Sequence, residues 1–259
     1  MTTYYLDTTA LIELWAGDGD TRAEIASLLE RGDGHVTSSH VRREWKRIVD
    51  STAADVLNAI ADGVSDFTDL YARLGQGWGR DSGQRFRVLA ILANQEESVD
   101  LITLKLRAEQ LLRYRSKVMF DHHLDDVRDG SECGLARNEV KRGPDGRYRL
   151  VDTCKRTDEI CRQRDFIEER RALWRTASEG LLKHASRDGD RKMGRIGLEV
   201  LNEEDRRKGK NCYARTGDIS ISVECRPGEE TLLTTDRSFE AIGKEVGAAV
   251  QTVAATPGP

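Results

Sequence analysis

The order of elements over the first fifty residues, strand, helix, helix, strand, helix, constrains this chain more than any other feature. Tyr4-Tyr5-Leu6 is a short aromatic and apolar run of the kind a buried strand requires. It ends at Asp7-Thr8-Thr9, residues that cap helices, and ALIELW follows. The run GDGD over 17–20 breaks that helix, and Ile25, Leu28 and Leu29 share one face of a second. Gly32-Asp33-Gly34 is a turn, and His35-Val36-Thr37 opens another strand. Val41, Trp45, Ile48 and Val49 then form the apolar stripe of a helix. Strands alternating with helices predict a parallel α/β sheet.

Beyond residue 51 the pattern changes. Segments 52–62, 84–93 and 97–119 read as helices, and 133–154 as a hairpin or irregular module around the turn Gly143-Pro144-Asp145-Gly146. Residues 156–184 read as one long helix, with Ile160, Ile167, Trp174 and Leu181 recurring on one stripe. The α/β pattern resumes near residue 211: Thr231–Thr235 is a strand, Ser238–Val246 a helix and Ala249–Val253 a last strand. The expected organisation is therefore a core from 1–50 and 206–254, a mostly helical insertion over 51–205, and a frayed tail at 255–259.

Four carboxylates stand out. Asp7 directly precedes a helix, so it can cap that helix; it also ends a parallel strand, where open α/β sheets place their ligands. Glu44 shares a helix face with Val41, Trp45 and Ile48, and a carboxylate beside a buried stripe needs a partner, either an arginine or a metal. Asp236 follows an apolar run and a Thr-Thr pair. Asp218 follows Thr216-Gly217, and the alternation Ile219, Ile221, Val223, Cys225 behind it is by itself a strand pattern.

In this order and with these flanks the four acids resemble the PIN-domain nucleases. Asp7 with Thr9 and ALIEL is similar to the first motif of that family. Thr37-Ser38-Ser39 with Val41 and Glu44 is similar to the second. Asp218-Ile219-Ser220-Ile221-Ser222 resembles the third, which opens a helix in the family, so a helix is expected there despite the alternation. Leu233-Thr234-Thr235-Asp236-Arg237-Ser238-Phe239 resembles the fourth. The resemblance covers roughly 1–50 and 211–253; the 174 residues separating Glu44 from Asp218 far exceed the interval in compact members. It implies a three-layer α/β/α core and an endonuclease dependent on Mg²⁺ or Mn²⁺, with single-stranded RNA as substrate. It also implies Asp7 and Asp218 as direct ligands, Glu44 and Asp236 completing the site, and Thr9 and Thr235 supporting it. Clustered acids repel one another, and hard divalent ions with oxygen ligands relieve that repulsion. One ion can generate the attacking hydroxide and a second can stabilise the leaving oxygen. A flap-type DNA nuclease, a non-catalytic PIN-like scaffold binding RNA or protein, and a toxin or defence effector held silent by a partner are the alternatives.

A net charge of −4 speaks against indiscriminate polyanion binding, so local clusters matter more. Arg206, Arg207, Lys208, Lys210 and Arg215 form one basic run, with Arg215 a candidate for the scissile phosphate; Lys105, Arg107, Arg113, Arg115 and Lys117 form another. Each reads equally as a solvated helix face. His122, His123, Cys133, Cys154 and Cys161 could supply a structural zinc site, but no C-x-x-C pair is present and thiols of the core or surface are the plainer reading. The segment DHHLDDVRDGSE reads as a solvated loop. The five cysteines have irregular spacings and outline no disulfide framework, and the opening residues carry no signal-peptide pattern, which together predict a cytoplasmic protein. The insertion is the expected contact for an inhibitory or targeting protein or for a second copy of the chain.

Overall fold

A computed structural model of the chain describes residues 2–16, 19–78, 82–93, 99–131, 139–150, 162–202 and 216–254. Its centre is a five-stranded sheet formed by β1 (Thr3–Leu6), β2 (Gly34–Ser38), β3 (Asp126–Arg128), β6 (Glu230–Thr234) and β7 (Ala249–Thr252). The spatial order is β3-β2-β1-β6-β7, and every neighbouring pair is parallel. Parallel strands are covered on both faces, which is why the central ones are short uninterrupted apolar runs. Tyr5, Leu6 and Leu233 are fully buried, and Leu232 nearly so. Edge strand β3 lacks that signature. Its three residues, Asp126, Val127 and Arg128, are charged at both ends, a composition that suits a sheet edge.

Helices flank the sheet. Asp7 leads into α1 (Thr8–Ala16), α2 (Gly19–Arg31) returns the chain to β2, and α3 (Ser39–Trp45) follows. A π-helical turn at Lys46–Asp50 joins α3 to α4 (Ser51–Ala61), and Val41, Trp45, Ile48 and Val49 all point into the interior as their spacing requires. Further along, α9 (Gln163–Glu169) and α10 (Arg171–His184) replace the single helix expected over 156–184. The chain breaks at Arg170 (φ −112°, ψ 25°), yet Ile167, Trp174 and Leu181 stay on one buried stripe. Next come α11 (Asp188–Asn202), α12 (Gly217–Glu224) and α13 (Ser238–Val246). Helix α10 packs against α11, α12 and α13. The close α10–α11 contact depends on glycine, because a Cβ at Gly194 would stand 2.6 Å from the Ser178 carbonyl oxygen.

Segment 217–224 is helical although its residues alternate like a strand. Ile219, Ser220, Ile221, Ser222 and Val223 are all buried, and a helix enclosed on every side carries no amphipathic period to read.

The described residues divide into two compact units. One lies within Met1–Arg42, Leu124–Arg137 and Thr153–Thr256, the other within Arg43–His123 and Asn138–Asp152. This differs from an insertion running from 51 to 205. Strand β3 pairs with β2, and α10 packs on α13, so both join the sheet unit. The second unit holds α4, α5 (Phe67–Gly75), α6 (Ser82–Leu92), α7 (Leu101–Gln110), a π-helical turn at Leu111–Arg115 and α8 (Ser116–His122). It also holds an antiparallel hairpin of β4 (Val140–Arg142) and β5 (Tyr148–Leu150), turned where Gly146 takes φ 78°. Asn58 fastens that hairpin to α4, donating to the Tyr148 carbonyl and accepting its N–H, both at 2.8 Å. In the same unit the Trp45 indole N–H donates to Ser116 Oγ at 3.1 Å, and its ring meets Phe120 edge-on at 5.8 Å. Among the described residues no helix is long and apolar enough to cross a membrane.

Candidate active site at the carboxyl edge of the sheet

From β1 the chain builds the sheet toward β2 and β3 on one side, and β6 with β7 lies on the other. The order therefore reverses between β1 and β6. Open α/β sheets bind ligands at such a point, in the crevice beyond the carboxyl ends of the strands. Asp7 is the first residue after β1, and Asp236 lies two residues beyond the end of β6. Two of the four acids singled out in the sequence thus flank the reversal.

Asp7 is 2% exposed and caps α1, accepting the Ala10 N–H at 2.7 Å. It is also held from two other directions. The Thr9 hydroxyl lies 3.0 and 2.9 Å from its two carboxylate oxygens, and Thr234 Oγ1 donates to Oδ2 at 2.9 Å. Burial pushes the Asp7 pKa up to about 7. The Ala10 amide and the two hydroxyls oppose that rise, and the charge of Asp236 adds to it. The helix-cap and ligand-site readings of this residue are therefore compatible.

The two threonines after β6 divide their roles by backbone geometry. Thr234 ends the strand with its side chain toward Asp7, and its hydroxyl also accepts the Asp236 N–H at 2.9 Å. Thr235 meets the site through its backbone, donating its N–H to Thr9 Oγ1 at 3.1 Å. The hydroxyl that reaches Asp7 from this strand is that of Thr234, the residue before the one singled out in the sequence.

Asp236 accepts the Ser238 N–H at 2.9 Å and pairs with Arg187. Arg187 precedes α11, and its Nε lies 3.2 Å from Asp190 Oδ2 in the first turn of that helix. The Asp190 side chain is only 14% exposed. Burial raises its pKa, Arg187 lowers it, and Asp236 raises it further. Partial burial works against the charge on Arg187, but Asp236, Asp190 and Asp218 together raise its pKa. Asp218 lies in the first turn of α12, half-buried, and acts on the same guanidinium. Asp7, Asp190, Asp218 and Asp236 are thus linked electrostatically, with Arg187 among the last three. Asp190 and Arg187 carry no sequence signal, since Ser186-Arg187-Asp188-Gly189-Asp190 reads as an ordinary solvated helix start. Only the packing of α10 and α11 brings them to the sheet edge.

Glu44 lies in the last turn of α3, half-buried, and belongs to the second compact unit. Arg206, Arg207, Lys208, Lys210 and Arg215 lie outside the described residues, as do Cys133, Cys154, Cys161 and the side chain of His122; His123 is exposed. Among the described residues no three His, Cys, Asp or Glu side chains are grouped to hold a metal ion as they stand. The donor set is nonetheless all carboxylate and hydroxyl oxygen, the chemistry that hard divalent cations take.

The sheet unit also carries an open pocket of about 690 Å³ whose lining includes Arg128, Arg170, Glu224, Cys225 and Arg226. Arg128 and Glu224 in its lining are already engaged. Arg128 forms a two-pronged pair with Glu230, and buried Glu224 accepts from Tyr5 Oη at 3.2 Å and Ser131 Oγ at 2.9 Å. Burial pushes the Cys225 thiol up to about 12, so it is inert at neutral pH. None of the four linked aspartates lines this pocket.

Set against known proteins, the chain matches no family model, no curated protein and no solved structure.

Proposed function

We propose that the chain is a metal-dependent nuclease with a PIN-like, three-layer α/β/α core, hydrolysing phosphodiester bonds in single-stranded RNA. One observation carries the reading: Asp7 and Asp236 stand at the carboxyl ends of adjacent parallel strands where the strand order reverses, with Asp190 sharing Arg187 with Asp236 and Asp218 acting on the same guanidinium. Asp7 is fixed by the Ala10 amide and by two threonine hydroxyls, so its carboxylate is held in one orientation at the end of β1. A carboxylate buried to this degree ionises at neutral pH at a cost that a nearby cation removes. Asp7, Asp190, Asp218 and Asp236 would hold Mg²⁺ or Mn²⁺ through oxygen. Such an ion, when bound, would polarise the attacking water and stabilise charge on the leaving oxygen.

The rival is a PIN-like scaffold that binds without cleaving. Arg187 favours it, because a guanidinium already neutralises part of the acid cluster. Labelled single-stranded RNA and DNA incubated with the wild type, Asp7→Asn and Asp236→Asn in Mn²⁺ separate the two. The nuclease reading expects cleavage of RNA by the wild type and a loss of about 10²-fold or more in each variant. Equal cleavage by wild type and variants, or binding with no cleavage, overturns it.

A further inference from the structure

Arg187 pairs with two of the four linked acids and feels the charge of a third. Its Nη2 pairs with Asp236, its Nε lies 3.2 Å from Asp190 Oδ2, and the charge of Asp218 acts on it as well. Its partners come from separate elements: Asp190 from α11, Asp236 from the β6–α13 connection and Asp218 from α12. The arm enters from solvent. Arg187 is 59% exposed in its side chain, whereas Asp190 and Asp236 are 14% and 30% exposed. Three negative charges facing one positive charge leave an excess that a guanidinium cannot cancel and a divalent cation can. The arm itself lies in solvent, so it can swing away once another cation neutralises the acids it leaves.

We infer that Arg187 is a built-in counter-ion: it holds Asp190 and Asp236 together in the metal-free protein, yields them to an incoming divalent cation, and then pairs with a phosphate of the substrate strand. This rests on the metal-dependent reading above. It gives one residue two opposed effects, weakening metal binding and strengthening substrate binding. A purely structural ion pair would lack the second effect.

Calorimetric titration of Mn²⁺ into the full wild-type chain, Arg187→Gln and Arg187→Lys at pH 8 tests the first effect without any turnover. Arg187→Gln should bind Mn²⁺ about fivefold more tightly, and its metal-free form should melt at a lower temperature that saturating Mn²⁺ restores. Its KM for single-stranded RNA should rise severalfold with kcat little changed, because the lost contact is to bound substrate. Arg187→Lys, which keeps the charge without the planar fork, should fall between the two. Identical Mn²⁺ affinity in wild type and Arg187→Gln overturns the counter-ion role while leaving the nuclease reading intact. Absence of Mn²⁺ binding in all three proteins overturns both.

Discussion

Replacing Asp7 by asparagine should make the protein increasingly more stable than the wild type as the pH rises, and on the proposed nuclease reading should lower cleavage about 10²-fold or more. In the folded chain burial raises this carboxyl from 3.8 to about 7. The folded state therefore holds the Asp7 proton more tightly than the unfolded state does. The stabilisation that this proton provides is complete below about pH 4 and is lost as the pH climbs through 7. A shift of about three units corresponds to roughly 4 kcal/mol. Asparagine cannot ionise, so its contribution is flat. It can still accept the Ala10 N–H, and the hydroxyls of Thr9 and Thr234 can turn to accept from its amide, leaving only a pH-independent offset. Urea denaturation of both proteins from pH 4 to pH 8 in EDTA measures the difference directly. The unfolding free energy of Asp7→Asn relative to wild type should swing upward by up to about 4 kcal/mol across that range. Saturating Mn²⁺ should shrink the swing, because it stabilises the ionised wild-type carboxylate by mass action and leaves the amide unaffected. A difference that stays constant from pH 4 to pH 8 would refute the claim that burial of Asp7 governs this edge of the sheet.

Four other substitutions report on neighbouring parts of the structure. Thr234→Val removes the hydroxyl that donates to Asp7 and accepts from the Asp236 N–H, and should cost about 1–3 kcal/mol while moving the Asp7 midpoint further up; a pH-dependent stability profile shows both. Gly197→Ala would press a Cβ into the Ser178 hydroxyl and to within 2.6 Å of Ile219 Cδ1, next to Asp218, so a loss of about 1–3 kcal/mol is expected in thermal melts. Glu224→Gln should be nearly neutral or stabilising at pH 8, because burial already raises the pKa of Glu224 and the amide keeps an acceptor for Tyr5 and Ser131. Glu224→Leu leaves those donors unpaired and should cost about 1–3 kcal/mol in the same melts.

The central strands and their partner helices were legible because each is a short apolar run bounded by capping or turn residues. Tyr4-Tyr5-Leu6, Leu232-Leu233 and the span Ser238–Val246 all lie where pattern placed them. Strand β3 was not, since Asp126-Val127-Arg128 owes its strand state to pairing with β2. Helix α12 followed from the family resemblance against its own alternation, which total burial had emptied of meaning. Asp7 and Asp236 could be read as candidates because both end strands. Asp190 and Arg187 could not, because what distinguishes them is tertiary: α10 and α11 carry an unremarkable helix start to the edge where Asp236 already sits. Thr234, which the sequence did not single out, supplies a hydroxyl to Asp7, while Thr235 reaches Thr9 through its backbone N–H.

The most direct test is the anomalous scattering of a crystal soaked in Mn²⁺. The account predicts manganese at the carboxyl edge between β1 and β6, ligated by oxygens among Asp7, Asp190, Asp218 and Asp236, with the Arg187 side chain swung clear. Manganese elsewhere or nowhere, with Arg187 still joined to Asp190 and Asp236, would contradict it.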